Sequence, residues 1–201
     1  MGSERHIRKV DRRIKRTRRL LSEALVSLSL ESSYDEISIR SLTQRADVGY
    51  ATFYRHFKSK DELLTYCMRQ VLHEIEKIVK PELSHYEESL AIFGILQRHK
   101  RICKLALNLP DDHPACVPVW EEIEQWLEEL YNVRDETNIP QALAVNHMIK
   151  SCRELARWWL NLGESYSTEQ MAIAQAELVM KVIESVALNP REKAKDFSPV
   201  T

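Results

Sequence analysis

The chain has 201 residues, of which 29% are charged and 44% hydrophobic, with a formal net charge of −1, four glycines and seven prolines. That size supports one large domain or two modest ones, and the composition excludes collagenous, disulfide-stapled and wholly disordered classes. Its apolar runs fall short of the roughly 20 residues of a membrane span, and the basic N-terminus lacks the apolar segment of a secretory signal. The expectation is therefore a cytoplasmic chain with no membrane partner.

The small net charge hides an asymmetry. Residues 1–60 hold 14 Lys/Arg against 7 Asp/Glu, and residues 61–201 hold 15 against 23. A basic head on an acidic body points to a polyanion partner for the head alone. Cys67, Cys103, Cys116 and Cys152 are widely spaced with no CxxC pair, so they read as small apolar groups in a reducing compartment.

In chain order, residues 1–16 read as a flexible basic arm. Leu20, Leu21, Ala24, Leu25 and Leu28 recur at three- and four-residue steps and predict a helix over 17–31, with Thr17 a candidate cap. Ser38 is the expected N-cap of a helix over 39–45. Asp47-Val48-Gly49 reads as a turn, because Asp tolerates the left-handed conformation and Gly permits a close-packed start. A short helix over 50–56 follows. Ser59 and Glu62 have capping-box spacing and open a long fourth helix that stops before Pro81. Further helices are predicted over 84–98, 99–109, 115–133, 141–163 and 168–188, separated at Pro110–Pro114 and Ile139-Pro140. No strand signal persists, and the tail 191–201 reads as disordered. The expected fold is all-α. A helix-turn-helix head is expected over 17–60 and a larger helical body over 61–190.

Two short helices joined by a turn of three or four residues form the layout whose second helix enters the DNA major groove. Ile39, Leu42, Ala46, Val48 and Phe53 supply an inner side, which leaves Tyr50, Ala51, Thr52, Tyr54, Arg55 and His56 directed outward. The run Thr52-Phe53-Tyr54-Arg55-His56-Phe57-Lys58-Ser59-Lys60-Asp61-Glu62-Leu63-Leu64 is unusual for a core element, since Arg55, Lys58 and Lys60 would have to shed water.

That run, together with Thr17 through Leu28, Tyr34, Ile37-Ser38-Ile39, Ala46 and Val48, resembles the DNA-binding domain of the tetracycline-repressor (TetR) family over residues 17–64. Arg157-Trp158-Trp159-Leu160 is similar to a C-terminal motif of some family branches. The resemblance implies a homodimer on a palindromic operator, released by a small-molecule effector. By position it implies that Tyr50, Ala51 and Thr52 face bases or sugar and that Tyr54 contacts a phosphate. His56 and Lys60 would contact backbone, and Ser38 and Arg40 a phosphate or base edge. Phe53 and Phe57 are core in this pattern.

Ser33, Asp47, Gly49 and Ala51 depart from the family pattern. Tyr50 cannot make a bidentate base contact, which leaves Arg40 or Arg55 as candidates for a guanine.

In the body, Cys103, His113, Trp120, Trp126, His147, Trp158 and Trp159 are candidates for an effector pocket between helices, although aromatics at helical spacing equally serve as core. Trp158 and Trp159 diverge by about 100° on a helix and cannot both point inward. The residues Ala172, Ala174, Ala176, Leu178, Val179, Val182, Ile183 and Val186 cover more than one helix face, which calls for two partners. The last two helices are thus the dimer candidates. His99 and Cys103 share a face but lack a third metal ligand. With no nucleophile triad and no phosphate-cradling glycine loop, neither an enzyme nor a bound cofactor is expected. The alternatives are a co-regulator acting through a protein partner and a small all-α enzyme using Cys103 or His113.

If the arm follows phosphates, each bound cation contributes about −0.9 to the log–log salt slope of DNA binding. Deleting residues 1–13 should flatten that slope, as measured by fluorescence anisotropy from low to moderate salt.

Overall fold

The computed structural model describes residues 2–79, 83–163 and 165–190, with side chains from residue 12 onward. Ten α-helices follow in order: α1 (Gly2–Leu28), α2 (Ile39–Arg45), α3 (Tyr50–Tyr54), α4 (Lys60–Ile78), α5 (His85–Arg98), α6 (Lys100–Leu107), α7 (Val117–Leu130), α8 (Gln141–Leu162), α9 (Thr168–Gln175) and α10 (Lys181–Val186). A π-helical stretch, Ala176–Met180, joins α9 to α10. None of these helices is long and apolar enough to cross a membrane. The expected tail 191–201 and the stop at Pro81 lie outside the described residues, but α4 ends at Ile78 with an extended Val79 cap.

Two expectations need correction. Residues before Thr17 do not form a separate flexible arm, because α1 continues back to Gly2 and places Thr17 within the helix. No Gly or Pro interrupts residues 3–28, and Arg and Lys are good helix formers. The chain also contains a small sheet, β1 (Tyr131–Val133) and β2 (Leu188–Pro190), paired antiparallel with Asn132 opposite Asn189. Three-residue strands carry no period that a sequence can display. The helices predicted over 115–133 and 168–188 therefore end earlier, at Leu130 and Val186.

Local chemistry accounts for the helix starts. Ser38, Ser59, Ser84 and Ser167 each accept a hydrogen bond from the backbone N–H three residues on, satisfying donors that a helix start leaves open. Asp47 sits at φ 50°, the left-handed turn conformation expected of it. Gly49 does not need its glycine: its φ is −61°, and an added Cβ would lie 3.6 Å from the Thr52 hydroxyl, an ordinary contact.

One buried apolar cluster runs from Leu21, Leu25, Leu42, Phe53 and Phe57 through Leu63, Leu64 and Leu72 of α4 to Phe93, Ile102, Val119, Trp159 and Met171. The head and the body thus share α4. A second cluster surrounds the small sheet, with Tyr131, Val145, Met148, Ile183 and Leu188. Tyr34 pins the loop before α2 to α4. Its hydroxyl donates to the Asp61 carboxylate at 2.6 Å, and Lys60 Nζ donates to the carbonyls of Tyr34 (2.7 Å) and Asp35 (3.1 Å). Burial first, and then the Asp61 carboxylate, raise the Tyr34 phenol pKa well above its ordinary value, so it remains a donor.

A hydrogen bond to a charged partner contributes about 1.5–3 kcal/mol, so Tyr34→Phe should destabilise the chain by about that amount. Phe53→Ala empties a fully buried site and should cost about 3–5 kcal/mol. Chemical denaturation would read both values.

Candidate nucleic-acid interface and interior cavity

Helices α2 and α3 meet through the turn at Asp47, with Val48 N–H donating to Thr43 O at 3.0 Å. Phe53 turns into the core and directs the other side of α3 to solvent. Tyr50 and Tyr54, one turn apart, are 55% and 48% exposed. Their rings meet edge to face at 5.3 Å and their hydroxyls lie 3.3 Å apart. The hydrogen bond with Tyr50 raises the Tyr54 phenol pKa, so the Tyr54 hydroxyl stays protonated. Ala51 and Arg55 are exposed and Thr52 half-buried. The Arg55 guanidinium donates to Thr52 Oγ1 at 2.7 Å, tying one candidate base reader to the next.

The remaining head residues divide by what holds them. Ser38 is exposed, but its hydroxyl caps α2 and meets the Ser41 hydroxyl at 3.1 Å. Arg40 is exposed, and its guanidinium makes no ion pair among the described residues. His56 is half-buried. Burial, with the nearby Arg18 and Arg55 guanidiniums, holds its imidazole below the ordinary histidine pKa, which favours the neutral form.

Lys60 spends donors on the Tyr34 and Asp35 carbonyls. Arg18, just beyond the basic segment 1–16, turns inward, and its guanidinium stacks over the rings of Phe57 (5.7 Å) and Tyr66 (5.2 Å). Its spacing from Leu21 and Leu25, three and seven residues on, was the available signal that it shares their inward face.

The body encloses a cavity of about 230 Å³. Met68, Val71, Leu72 and Ile75 of α4 form one wall, Ile92 and Leu96 of α5 another, and α6, α7 and α8 close it. Of the candidate pocket residues, Cys103, Trp120 and Trp126 line it.

The other four candidates stand elsewhere. His113 is in the α6–α7 loop, with its ring edge against Tyr34 at 5.3 Å. Trp159 is buried beside Phe93 at 5.2 Å and donates its indole N–H to Tyr166 O at 2.9 Å. His147 and Trp158 are on the outer side of α8. The predicted divergence of the two tryptophans holds, with Trp158 46% and Trp159 5% exposed.

The α4 wall and Arg153 were absent from the sequence-based site. Burial pushes the Cys103 and Cys152 thiols up to about 12, so they line the cavity as neutral groups. His99 pairs with Glu74 at 2.9 Å. Among the described residues no three His, Cys, Asp or Glu side chains gather in a way that could hold a metal.

Residues 20–67 match the family model for bacterial regulatory proteins of the tetR family. A 75-residue stretch, 37% of this chain, is 33% identical to an uncharacterized HTH-type transcriptional regulator, YxbF, from Bacillus subtilis strain 168. The chain spans only 20% of that relative's length. Among solved structures, a TetR transcriptional regulator from Streptococcus agalactiae superposes with a TM-score of 0.62 at 24% identity, covering 86% of this chain and 98% of that one. The transcriptional regulator FadR from Bacillus subtilis, solved with stearoyl-CoA, superposes with a TM-score of 0.60 at 16% identity, covering 80% of this chain and 96% of that one. At these identities the superpositions establish the fold.

A phosphate contact by Tyr54 predicts that Tyr54→Phe weakens binding to all duplexes about equally. Arg40→Ala should relax discrimination at one base pair, by about 1–3 kcal/mol if it reads a guanine. Binding to a set of single-base operator variants separates the two effects.

Proposed function

The chain belongs to the tetR family of bacterial regulatory proteins, and from that membership we propose that it is a homodimeric repressor that leaves a palindromic operator when a small molecule fills the body cavity. The observation that carries this reading is the outward face of α3, where Tyr50, Ala51, Tyr54 and Arg55 stand in solvent beside Arg40, with Thr52 half-buried among them, while Phe53 anchors the helix from behind. A helix so short that offers aromatic and basic groups outward fits the major groove, with α2 against the backbone. On this reading residues 17–60 read DNA in the cytoplasm, and residues 61–190 sense and pair.

Dimerisation is supported by an apolar face that one chain leaves uncovered. Leu143, Trp158 and Leu162 are exposed along α8. Ile173, Leu178, Val182 and Val186 are exposed along α9, the π-helical stretch and α10, with Leu178 at 71%. The last three recur every four residues, and Leu143, His147, Trp158 and Leu162 keep to one side of α8. Two copies that apply these faces to one another make a self-complementary four-helix contact. His147 and Trp158 belong to this face on the present reading, which accounts for their distance from the cavity.

Two recognition helices must lie about 34–36 Å apart to enter successive major grooves. A molecule in the cavity presses on α4, and α4 begins immediately after the head. A ligand with unequal affinity for two α4 positions shifts the dimer between them.

The test is a mobility shift with the duplex that flanks its own gene, run beside sedimentation of the free protein. Wild type should sediment as a dimer and bind that duplex well above random DNA at moderate salt. Leu178→Glu with Val182→Glu should sediment as a monomer and lose most of that preference. Binding no tighter than to random DNA would defeat the repressor reading.

A further inference from the structure

The cavity wall is apolar almost throughout, and among its described residues one is basic, Arg153, and one is acidic, Glu88. Arg153 is held unusually well for an arginine. Its guanidinium stacks over the Trp120 ring at 4.9 Å. It pairs with the Asp111 carboxylate at 2.5 Å, and its side chain is only 12% exposed, whereas that of Asp111 is 59% exposed. Arg157, one turn along α8, is engaged by Glu154. A guanidinium this buried needs an anion at all times. The residue that now supplies it sits on an exposed loop and can return to water at little cost.

We propose that the effector is an amphipathic monocarboxylate, an apolar chain ending in one carboxylate, and that its carboxylate replaces Asp111 on Arg153. The proposal rests on the reading of the cavity as the effector site. The apolar chain matches the wall built from α4, α5 and α7. The planar guanidinium favours a carboxylate, which it can grip through two parallel hydrogen bonds. Asp111 is the internal stand-in for that group. Arg153 is the one basic group on the described wall, so a second carboxylate would find no cation there and the ligand carries one.

The exchange has a route to the head. Asp111 lies in the loop between α6 and α7, and Arg153 tethers that loop to α8. The same loop touches the reading head through His113, whose ring edge meets Tyr34 at 5.3 Å. It touches α4 through Ala115, whose carbonyl accepts the Thr65 hydroxyl at 2.7 Å. A ligand carboxylate on Arg153 releases the tether and frees the loop that braces Tyr34 and α4. One carboxylate is exchanged for another, so the two states differ little in energy and a modest ligand affinity shifts the balance.

The experiment titrates the full-length dimer with decanoate, 1-decanol and decyltrimethylammonium below their aggregation limits. Calorimetry and the fluorescence of Trp120 and Trp126 read binding. Decanoate should bind about tenfold or more tightly than 1-decanol, the effect expected of a hydrogen-bonded charge pair. Arg153→Gln should erase that preference. Asp111→Asn, which removes the internal competitor, should tighten decanoate several-fold. Thermal melts of both variants verify folding. Equal or tighter binding of the alcohol to wild type overturns the carboxylate assignment while leaving the effector cavity standing, as does an undiminished preference in Arg153→Gln. Tightest binding of the cationic probe overturns it in the same way. Binding of none of the three overturns the assignment and counts against the cavity reading itself.

Discussion

Everything in this molecule leans on α4, because one helix serves two cores. Its first half packs Leu63, Leu64 and Cys67 against Leu21, Phe53 and Phe57 of the head. Its second half turns Met68, Val71, Leu72 and Ile75 to the cavity. Protein interiors are close-packed, and a wall that shifts must carry its neighbours with it. On the proposed mechanism, a change in cavity volume is therefore a change in the pose of the head. The capped start at Ser59, the Tyr34–Asp61 bond and the Lys60 donors to the loop carbonyls fix the head end of that lever.

The α6–α7 loop is a second connection, which adds polar contacts to the buried packing of Ala115 and Cys116. Thr65 bonds Ala115 O within the core, and the Cys116 thiol lies 3.7 Å from Ala106 O. Arg69 of α4 is paired with Glu122 of α7, but that pair is half exposed and contributes little. The weight of the connection falls on the buried Thr65 bond, whose loss would leave a buried carbonyl without its partner. The loop is thus tied tightly to α4 at Ala115, touches the head by one aromatic edge at His113, and is held to α8 by one exposed carboxylate at Asp111. Such a graded set of ties allows one of them to be exchanged without loss of the fold.

The head was legible in the sequence because its determinants are local. Ser38 and Ser59 cap, Asp47 turns, and Phe53 faces in by helical period. The family resemblance rests on those same residues. The cavity was legible only in part. Cys103, Trp120 and Trp126 were candidates by residue type, but what puts a side chain on a cavity wall is the packing of distant helices. His113 and Trp159 are spent on Tyr34 and Phe93, partners 79 and 66 positions away in sequence. The wall contributed by α4 reads as ordinary core, since Met68 and Leu72 have the same spacing whether they meet a helix or a void. Arg153 had no sequence signal, because a paired surface arginine and a buried one look alike until their partners are known. The extension of α1 back to Gly2 was missed because charge density suggested a tail, while the residues themselves favour a helix.

The formal charge of the head overstates what it offers to DNA. Arg45 is bound by Glu31 and meets the Ser27 hydroxyl, Arg18 is stacked on Phe57 and Tyr66, and Lys60 serves the Tyr34 loop. These cations hold the head together, and their donors and faces are occupied in doing so. Arg40 and Arg55, beside the two exposed tyrosines, are the ones presented on the reading face. Phosphate neutralisation gives affinity without sequence information, whereas contacts at base edges discriminate. The division of labour follows from placement. On the proposed reading, operator choice falls to a small patch in which Arg40 stands clear and Arg55 is already steered by Thr52. Tyr50 offers a ring and one hydroxyl, which on that reading suit shape and thymine methyls more than a hydrogen-bond pattern.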